Sequence, residues 1–380
     1  MTGVLELKGI MMPFNYDDEV MNMLHVRTRG LSDGDPIAEP LAPTSTFVLG
    51  ENPDASQIYG RYGASNTGAA EQRLSMIDDA PVVLFSSGMA TYTALILAVL
   101  KPGDKVLILD DGYSHARRLM EKVFFSYQIQ MVVFSALEAE TVSLDQISLT
   151  IVETPSNPNL DVIDVEKFCG RAAKASCLVV VDNTLCTGLL QRPSTLGADF
   201  ILASDTKAPG GHSDLILGQV ATRNADVYDK LREIRMFTGS IPGPYEAILL
   251  SRSLETLELR LERMCSSAEV IAELLNASPK LKTIRFPGLK SDPAYAVAQR
   301  QMKKPGFVIG ATFPSADDAN RFIAGSDFIV KATSFGGTHT SADRRARWGD
   351  DVGEGFLRIS VGVEPITPMV EKIEQALAAL

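Results

Sequence analysis

Short apolar runs alternate with segments of helical periodicity through the middle of the chain. Strand-like runs occupy 81–85, 105–109, 147–152, 178–181, 200–203 and 216–222. Apolar residues three and four positions apart predict helices over 67–77 and 89–100. Strands that alternate with helices predict an α/β fold, with a parallel sheet covered on both faces.

The pattern changes after residue 243, which we take as a domain boundary. One long helix is predicted over 245–275. Strand-like runs and helices then alternate to the end of the chain, over 306–313, 316–324, 355–363 and 368–380. We therefore predict a larger α/β domain at 59–243 and a smaller α+β domain at 244–380.

The first part of the chain, residues 1–58, shows little periodicity and is punctuated by prolines at 13, 36, 40 and 43. We predict an extended N-terminal arm rather than a domain. Because such an arm has little core of its own, we expect it to lie against another subunit.

Composition and charge exclude several classes of protein. The formal net charge of −11 over 380 residues argues against a nucleic-acid or membrane partner. No apolar segment reaches the roughly 18 residues that span a bilayer. The first residues lack the pattern of a secretory signal. Four cysteines without a close-spaced pair, and four scattered histidines, predict neither disulfides nor a metal site. The expected localisation is cytoplasmic.

The strongest chemical indication is a lysine that follows one apolar run and an aspartate that ends another. Asp182 ends the run 178–181, and Lys207 follows the run 200–203. Both should reach the carboxyl edge of the sheet, where ligands of such folds bind. An imine-forming amine and a partner for a ring nitrogen together indicate a pyridoxal phosphate site. A surface lysine beside a turn-forming aspartate is the simpler alternative.

A second group of residues suits a phosphate. Gly88 and Met89 lie where a strand turns into a helix, so their backbone N–H groups are free to bind an anion. Ser204 and Thr206, three positions and one position before Lys207, add hydroxyl donors. An ordinary helix N-cap explains the first pair equally well.

Three further residues are candidates on weaker grounds. Tyr113 follows the run 105–109 and could stack on a flat cofactor ring, or be a structural tyrosine. Arg61, in a glycine-spaced loop, suits a phosphate but also an ordinary surface loop. Arg358 alternates with apolar residues on a strand and could bind a carboxylate, or face solvent at a sheet edge.

Taken together, these segments resemble the Cys/Met-metabolism family of pyridoxal-phosphate enzymes, from about residue 28 to 365. The matching motifs, in chain order, are Pro43-Thr44-Ser45-Thr46-Phe47, Tyr59-Gly60-Arg61, Ser86-Ser87-Gly88-Met89-Ala90, Glu153-Thr154-Pro155-Ser156-Asn157-Pro158, Val181-Asp182-Asn183-Thr184, Ser204-Asp205-Thr206-Lys207, Gly211-His212-Ser213-Asp214 and Arg358-Ile359-Ser360-Val361-Gly362. The resemblance implies the fold-type I, aminotransferase-like fold with a mostly parallel seven-stranded sheet, and a homotetramer built from catalytic dimers.

The resemblance also implies roles for individual residues. Lys207 would be the Schiff-base lysine and Tyr113 a stacking residue and acid. The other implied cofactor ligands are Gly88, Met89, Asn157, Asp182, Ser204 and Thr206, with Tyr59 and Arg61 from the partner subunit. Ser334 and Arg358, beside Thr333, would hold the carboxylate of an amino-acid substrate.

Departures from the family pattern concern substrate choice. Thr333 stands where many cystathionine-using members have a glutamate, and His115 stands where methionine γ-lyases have a cysteine. The segment 338–348 looks shortened and carries Arg344, Arg345 and Arg347 near the expected mouth of the site. Attraction of an anionic substrate is one interpretation of these arginines and a solvated face is the other, which we favour.

The predicted activity is that of a C–S lyase, with cystathionine γ-lyase first. Methionine γ-lyase, cystathionine β-lyase and cystathionine γ-synthase are alternatives within the family. A non-catalytic α/β binding protein is the alternative from another class.

Overall fold

The computed structural model describes residues 16–51 and 58–380. Two parts of the predicted arm, 1–15 and 52–57, lie outside the described residues. The first of them includes the start of the chain, for which no secretory signal was predicted.

A seven-stranded sheet forms the larger part of the molecule. Its strands are β1 (Val82–Phe85), β2 (Lys105–Leu109), β3 (Gln130–Phe134), β4 (Leu149–Glu153), β5 (Leu178–Asp182), β6 (Phe200–Ala203) and β7 (Gly218–Ala221). The order across the sheet is β1-β7-β6-β5-β4-β2-β3. Only β7 runs against its neighbours, so the predicted mostly parallel seven-stranded sheet is confirmed.

Helices cover both faces of this sheet. They are α2 (Ser65–Asp78), α3 (Gly88–Val99), α4 (Ser114–Lys122), α5 (Val165–Lys174), α6 (Thr187–Leu190) and α7 (Ala225–Thr238). Strands β4, β5 and β6 are almost wholly buried between them. Apolar runs without alternation are what two covered faces require, which is why these strands were visible in the sequence.

The sequence pattern missed the edge strand β3. Three of its five residues are exposed, because an edge strand is covered less completely than a central one. Gln130 begins the strand, and the apolar run at 131–134 that follows it is absent from the predicted strands.

The C-terminal part contains a second sheet, of five strands. They are β8 (Thr283–Arg285), β9 (Val308–Thr312), β10 (Val330–Lys331), β11 (Ser341–Arg344) and β12 (Phe356–Ser360), in the order β10-β11-β12-β9-β8. The helices of this part are α8 (Pro244–Leu254), α9 (Leu257–Asn276), α10 (Tyr295–Gln301), α11 (Ala316–Gly325) and α12 (Ile366–Ala378). The predicted smaller α+β part is confirmed, while the exact domain boundaries stay predictions.

The prediction of one long helix over 245–275 is wrong, because the chain breaks between α8 and α9. At the break, the carbonyl of Ser253 accepts from the backbone N–H of Thr256 at 3.2 Å and from the Arg260 guanidinium at 2.9 Å. The same guanidinium donates to the carbonyl of Ala208 at 2.6 Å. A buried arginine therefore satisfies the interrupted helix and holds the residue that follows Lys207.

The prediction of an extended N-terminal arm is wrong for its first described residues, which form a helix. Residues Tyr16–His25 form α1, which packs on α2 of the same chain. Met23 is 2% exposed and belongs to the main apolar core. The first described part of the arm is therefore anchored on its own subunit.

Disulfides, metal-binding clusters and membrane-spanning helices were not predicted from the composition. All four cysteines are free and buried. Residues 16–51 and 58–380 include no acidic, histidine or cysteine cluster suited to a metal ion. Nor does any helix in those ranges have the length and apolar character to cross a bilayer.

Candidate active site

A cavity of about 620 Å³ opens at the carboxyl ends of β4, β5 and β6, beside the C-terminal part. Its volume is in the range typical of small-molecule sites. All the predicted site residues except Tyr59 and Arg61 line it, namely Gly88, Met89, Tyr113, Asn157, Asp182, Ser204, Thr206, Lys207, Thr333, Ser334 and Arg358. The folded chain therefore brings together segments that are up to 270 positions apart, from Gly88 to Arg358 (358 − 88 = 270).

Asp182 is held at the end of β5 by three hydrogen bonds. The backbone N–H of Thr184 donates to Oδ1 at 3.0 Å, and the hydroxyl of the same residue does so at 2.5 Å. The hydroxyl of Tyr92 donates to Oδ2 at 2.5 Å. Burial raises the pKa of Asp182, while these hydrogen bonds and the Lys207 charge lower it. A cation placed against this carboxyl would favour its ionised form.

Lys207 points its amine into the same cavity. Its Nζ donates to Ser334 Oγ at 2.8 Å. Burial, and then the Arg358 charge, lower the pKa of Lys207, against the attraction of Asp182 and Glu153. A lowered pKa increases the fraction of free amine, which is the nucleophilic form.

The turn that begins α3 suits a phosphate. Ser87 caps the helix by accepting from Ala90 N at 3.1 Å, so its side chain leaves the N–H groups of Gly88 and Met89 uncovered. A Cβ at Gly88 would lie 3.1 Å from Ser204 Cβ. Glycine therefore permits the close approach of this turn to the loop that carries Ser204 and Lys207.

The two predicted hydroxyl ligands of the phosphate differ in availability. Within the described part of the chain, no hydrogen bond engages Ser204 Oγ. Thr206 Oγ1 donates to Leu217 O at 3.1 Å and accepts from Leu217 N at 3.1 Å. The Ser204 hydroxyl is therefore available to donate to an anion. The Thr206 hydroxyl would first have to break its hydrogen bond to the carbonyl of Leu217, the residue before β7.

Arg358 joins the two parts of the molecule. Its Nη1 donates to Asn157 Oδ1 at 2.6 Å, and its Nη2 donates to Ser334 O at 3.0 Å. Arg358 is 4% exposed, so the alternative of a solvated edge arginine is wrong. Burial lowers its pKa to about 10, and the nearby Arg345 adds to this effect. A rigid, poorly hydrated guanidinium is well suited to a substrate carboxylate.

Tyr113 stands at the mouth of the cavity and is 40% exposed. Its ring lies 5.2 Å from the His115 ring, and its backbone N–H donates to Glu153 Oε2 at 2.6 Å. Burial, followed by the negative charges of Glu153 and Asp182, raises the pKa of Tyr113. The phenol is therefore held as a proton donor.

Tyr92, Glu153 and Thr184 also line the cavity and were not among the predicted site residues. Tyr92 lies four residues after Gly88, and so one helical turn further along the same face. Thr184 lies two residues after Asp182. Glu153 ends β4 beside Asp182 in the ladder, and burial raises its pKa well above the usual range. These short spacings from predicted site residues, and the position of Glu153 at the end of a strand, could have identified the three residues in the sequence.

The interpretation of Arg344, Arg345 and Arg347 as a solvated face is wrong for Arg344 and Arg345, which are half-buried, whereas Arg347 is exposed. Their side chains are 16%, 15% and 31% exposed, and each pairs with a carboxylate. Arg345 lines the cavity. Three adjacent basic residues were mistaken for a surface cluster because their acidic partners, Asp343, Asp350 and Glu354, are fixed only by the fold.

Tyr59 and Arg61 lie away from the cavity of their own chain. Tyr59 forms a β-bridge with Thr46, and the Arg61 guanidinium lies 4.9 Å from the centre of the Tyr59 ring. Arg61 lines a separate surface cleft with Tyr62 and Phe237. This position agrees with a contribution to a neighbouring subunit, which stays a prediction.

A buried carboxyl, a lysine amine and an uncovered helix N-terminus at one edge of a mostly parallel sheet define a fold-type I pyridoxal-phosphate enzyme. The model of the Cys/Met metabolism PLP-dependent enzyme family matches residues 22–378. The chain belongs to this family, and the alternative of a non-catalytic binding protein is set aside.

Individual relatives carry several names. The chain is 40% identical over 351 residues to a putative cystathionine gamma-lyase of Streptomyces coelicolor, covering 89% of each sequence. It is 33% identical to an L-methionine gamma-lyase of Pseudomonas deceptionensis, covering 94% of this chain and 96% of the relative. Other relatives are named cystathionine gamma-synthase and cystathionine beta-lyase.

Solved structures agree with the fold. The metB structure from Corynebacterium glutamicum superposes with a TM-score of 0.90 at 32% identity, covering 96% of this chain and 100% of that one. The family and its relatives establish a pyridoxal-phosphate-dependent enzyme of the carbon–sulfur lyase and synthase group.

The residues present fit the family's cofactor, pyridoxal 5'-phosphate. Asp182, only 4% exposed, offers a carboxyl to the cavity that also receives the Lys207 amine. The Gly88 turn and Ser204 lie together as the donors that a phosphate needs.

Proposed function

We propose that this chain is a cystathionine γ-lyase, which converts cystathionine to cysteine, 2-oxobutanoate and ammonia. The observation that carries the proposal is the convergence of Lys207, Asp182 and Arg358 in one cavity. The choice of γ-lyase within the family is supported by the 40% identity to a relative of that name, against 33% for the methionine lyase.

The cofactor ligands form a second part of the proposal. Asp182 would hold the ring nitrogen, Tyr113 would stack on the ring and Asn157 would bind its phenolic oxygen. The phosphate is bound by this chain's Gly88, Met89, Ser204 and Thr206, and by Tyr59 and Arg61 contributed from one subunit to the other. When bound, pyridoxal phosphate withdraws electrons from the substrate's Cα.

The chain's own residues then bind the substrate and move protons. Arg358 and Ser334, beside Thr333, hold the substrate carboxylate. Lys207 Nζ would take the proton from Cα, deliver that proton to the bound cofactor and, as a free amine again, take one from Cβ. Its 2.8 Å contact with Ser334 Oγ keeps it beside that carboxylate. The Tyr113 hydroxyl protonates the departing thiolate. Its raised pKa keeps it protonated at neutral pH.

Assembly and location complete the proposal. We place the arm at 1–58, the cofactor domain at 59–243 and the C-terminal domain at 244–380, in a homotetramer of catalytic dimers. The support is that Tyr59 and Arg61 lie outside their own chain's cavity. A cytoplasmic location is supported by four buried, unpaired cysteines.

Product analysis of the cofactor-loaded enzyme tests the reaction. The substrates are cystathionine, methionine, cysteine and an activated homoserine ester. We expect 2-oxobutanoate and cysteine from cystathionine. Pyruvate and homocysteine would contradict the proposal in favour of a β-lyase. Methanethiol from methionine, with cystathionine left intact, would contradict it in favour of methionine γ-lyase.

A further inference from the structure

We propose that Arg345 and Asp350 form a distal subsite, which binds the second amino-acid headgroup of a two-headed substrate. The subsite deepens the proposed function and rests on it, because cystathionine carries an ammonium and a carboxylate at both ends of its thioether chain. Arg345 would bind the distal carboxylate and Asp350 the distal ammonium.

Arg345 and Asp350 form an ion pair on the wall of the cavity. The Arg345 Nε donates to Asp350 Oδ2 at 2.7 Å, and both residues line the cavity. Their side chains are 15% and 12% exposed. Hydrogen bonds within the described part of the chain reach Oδ2 of Asp350 but not Oδ1, which leaves one carboxylate oxygen for a ligand.

A buried aspartate fixes this wall. Asp343, 1% exposed, accepts from Arg345 Nη1 at 3.2 Å and from Trp348 Nε1 at 2.7 Å. Arg347 also donates to it. Asp343 is the direct partner of Arg358 across the β11–β12 ladder. The distal pair is therefore positioned by β11, the strand paired with β12, which carries the proposed site for the first carboxylate.

The spacing suits a substrate that bridges the two sites. Arg345 N donates to Phe356 O, two residues before Arg358 on β12. Along β12, the level of Arg345 is therefore roughly 7 Å from Arg358, a backbone separation comparable with the distance between the two α-carbons of an extended thioether chain. The positive charge of Arg345 acts to lower the pKa of both Tyr113 and Arg358. This effect is expected for a cation near the cavity mouth and the carboxylate site.

Charge complementarity favours a zwitterionic headgroup over a simple anion. Asp350 and Asp343 already neutralise Arg345, so a lone anion gains less from it. A zwitterionic headgroup can pair its carboxylate with Arg345 and its ammonium with Asp350, so that every charge on the cavity wall keeps an opposite partner. Thr333, also on the wall, supplies no carboxylate. Asp350 is the acid that remains for the distal ammonium.

The test compares a two-headed with a one-headed substrate. The variants are Asp350→Asn and Arg345→Gln, assayed with cystathionine and with O-acetylhomoserine, which lacks the distal headgroup. The KM for cystathionine should rise about 10- to 100-fold, the effect of losing one charged hydrogen bond. In both variants the KM for cystathionine should rise by a larger factor than the KM for O-acetylhomoserine.

Arg347→Gln is the matched control. Arg347 contacts the same Asp343 but does not line the cavity, so its loss should leave kcat and KM for both substrates unchanged. Equal KM increases for both substrates in Asp350→Asn and Arg345→Gln, or no increase for cystathionine, would overturn the distal subsite.

Fluorescence separates failure of this inference from failure of the proposed function. Trp348 is the only tryptophan of the chain and lines the cavity beside the pair. Cystathionine should quench its emission in cofactor-loaded enzyme inactivated by Lys207→Ala, and Asp350→Asn in that background should raise the half-saturating concentration about 10- to 100-fold. An unchanged titration contradicts the subsite. Absence of 2-oxobutanoate from the unmodified enzyme contradicts the proposed reaction instead.

Discussion

Lys207→Ala should lower kcat by more than about 10⁴-fold, because the variant loses both the amine that anchors the cofactor and the base that moves two protons. The remaining contacts around Gly88, Ser204 and Asp182 should still bind pyridoxal phosphate without a covalent bond. The measurement is steady-state turnover of the purified protein, together with cofactor content after dialysis.

Two controls make the Lys207→Ala result specific. Lys331, on the exposed strand β10, does not line the cavity, and Lys331→Ala should keep full turnover. Circular dichroism should show that both variants are folded. Turnover of Lys207→Ala within tenfold of the unmodified enzyme would refute the assignment of the base.

Asp182→Asn is expected to lower kcat by about 10²- to 10³-fold, the typical effect of removing one preorganised electrostatic contact. The ionised carboxyl stabilises a protonated ring nitrogen, and a neutral amide does not. Tyr92 and Thr184 can still bond to the amide, so the fold should survive. Stopped-flow measurement of the first deprotonation would locate the loss in the chemical step.

Asp199 supplies the matched control for Asp182→Asn. Asp199 Oδ2 accepts from Val179 N at 2.7 Å, near the opposite end of the strand that carries Asp182. An amide oxygen can replace that acceptor, so Asp199→Asn should keep normal kcat. Equal losses in the two variants would show that strand stability, rather than the charge at 182, sets the rate.

The sequence alone predicted the location of those site residues that lie at the end of, or within, a single buried strand. Asp182 comes directly after one apolar run and Lys207 four positions after another, and parallel strands deliver their carboxyl ends to one edge. Arg358 lies on a strand whose alternation also places Ser360 correctly, since Ser360 Oγ accepts from Gly336 N at 2.9 Å.

Features that depend on tertiary contacts were not visible in the sequence. The break between α8 and α9 is stabilised by Arg260, which reaches across to the Lys207 loop. Arg345 became part of the cavity because Asp343 and Asp350 hold it there. Local periodicity carries no information on such pairings, because the partners are chosen by the fold.

Borohydride reduction of the cofactor-loaded enzyme tests the central claim most directly. Reduction makes the bond between the cofactor and its lysine permanent, and digestion followed by mass spectrometry identifies the modified residue. We predict pyridoxyl modification of Lys207 alone, at about one per subunit. Modification of another lysine, with Lys207 unmodified, would contradict the account.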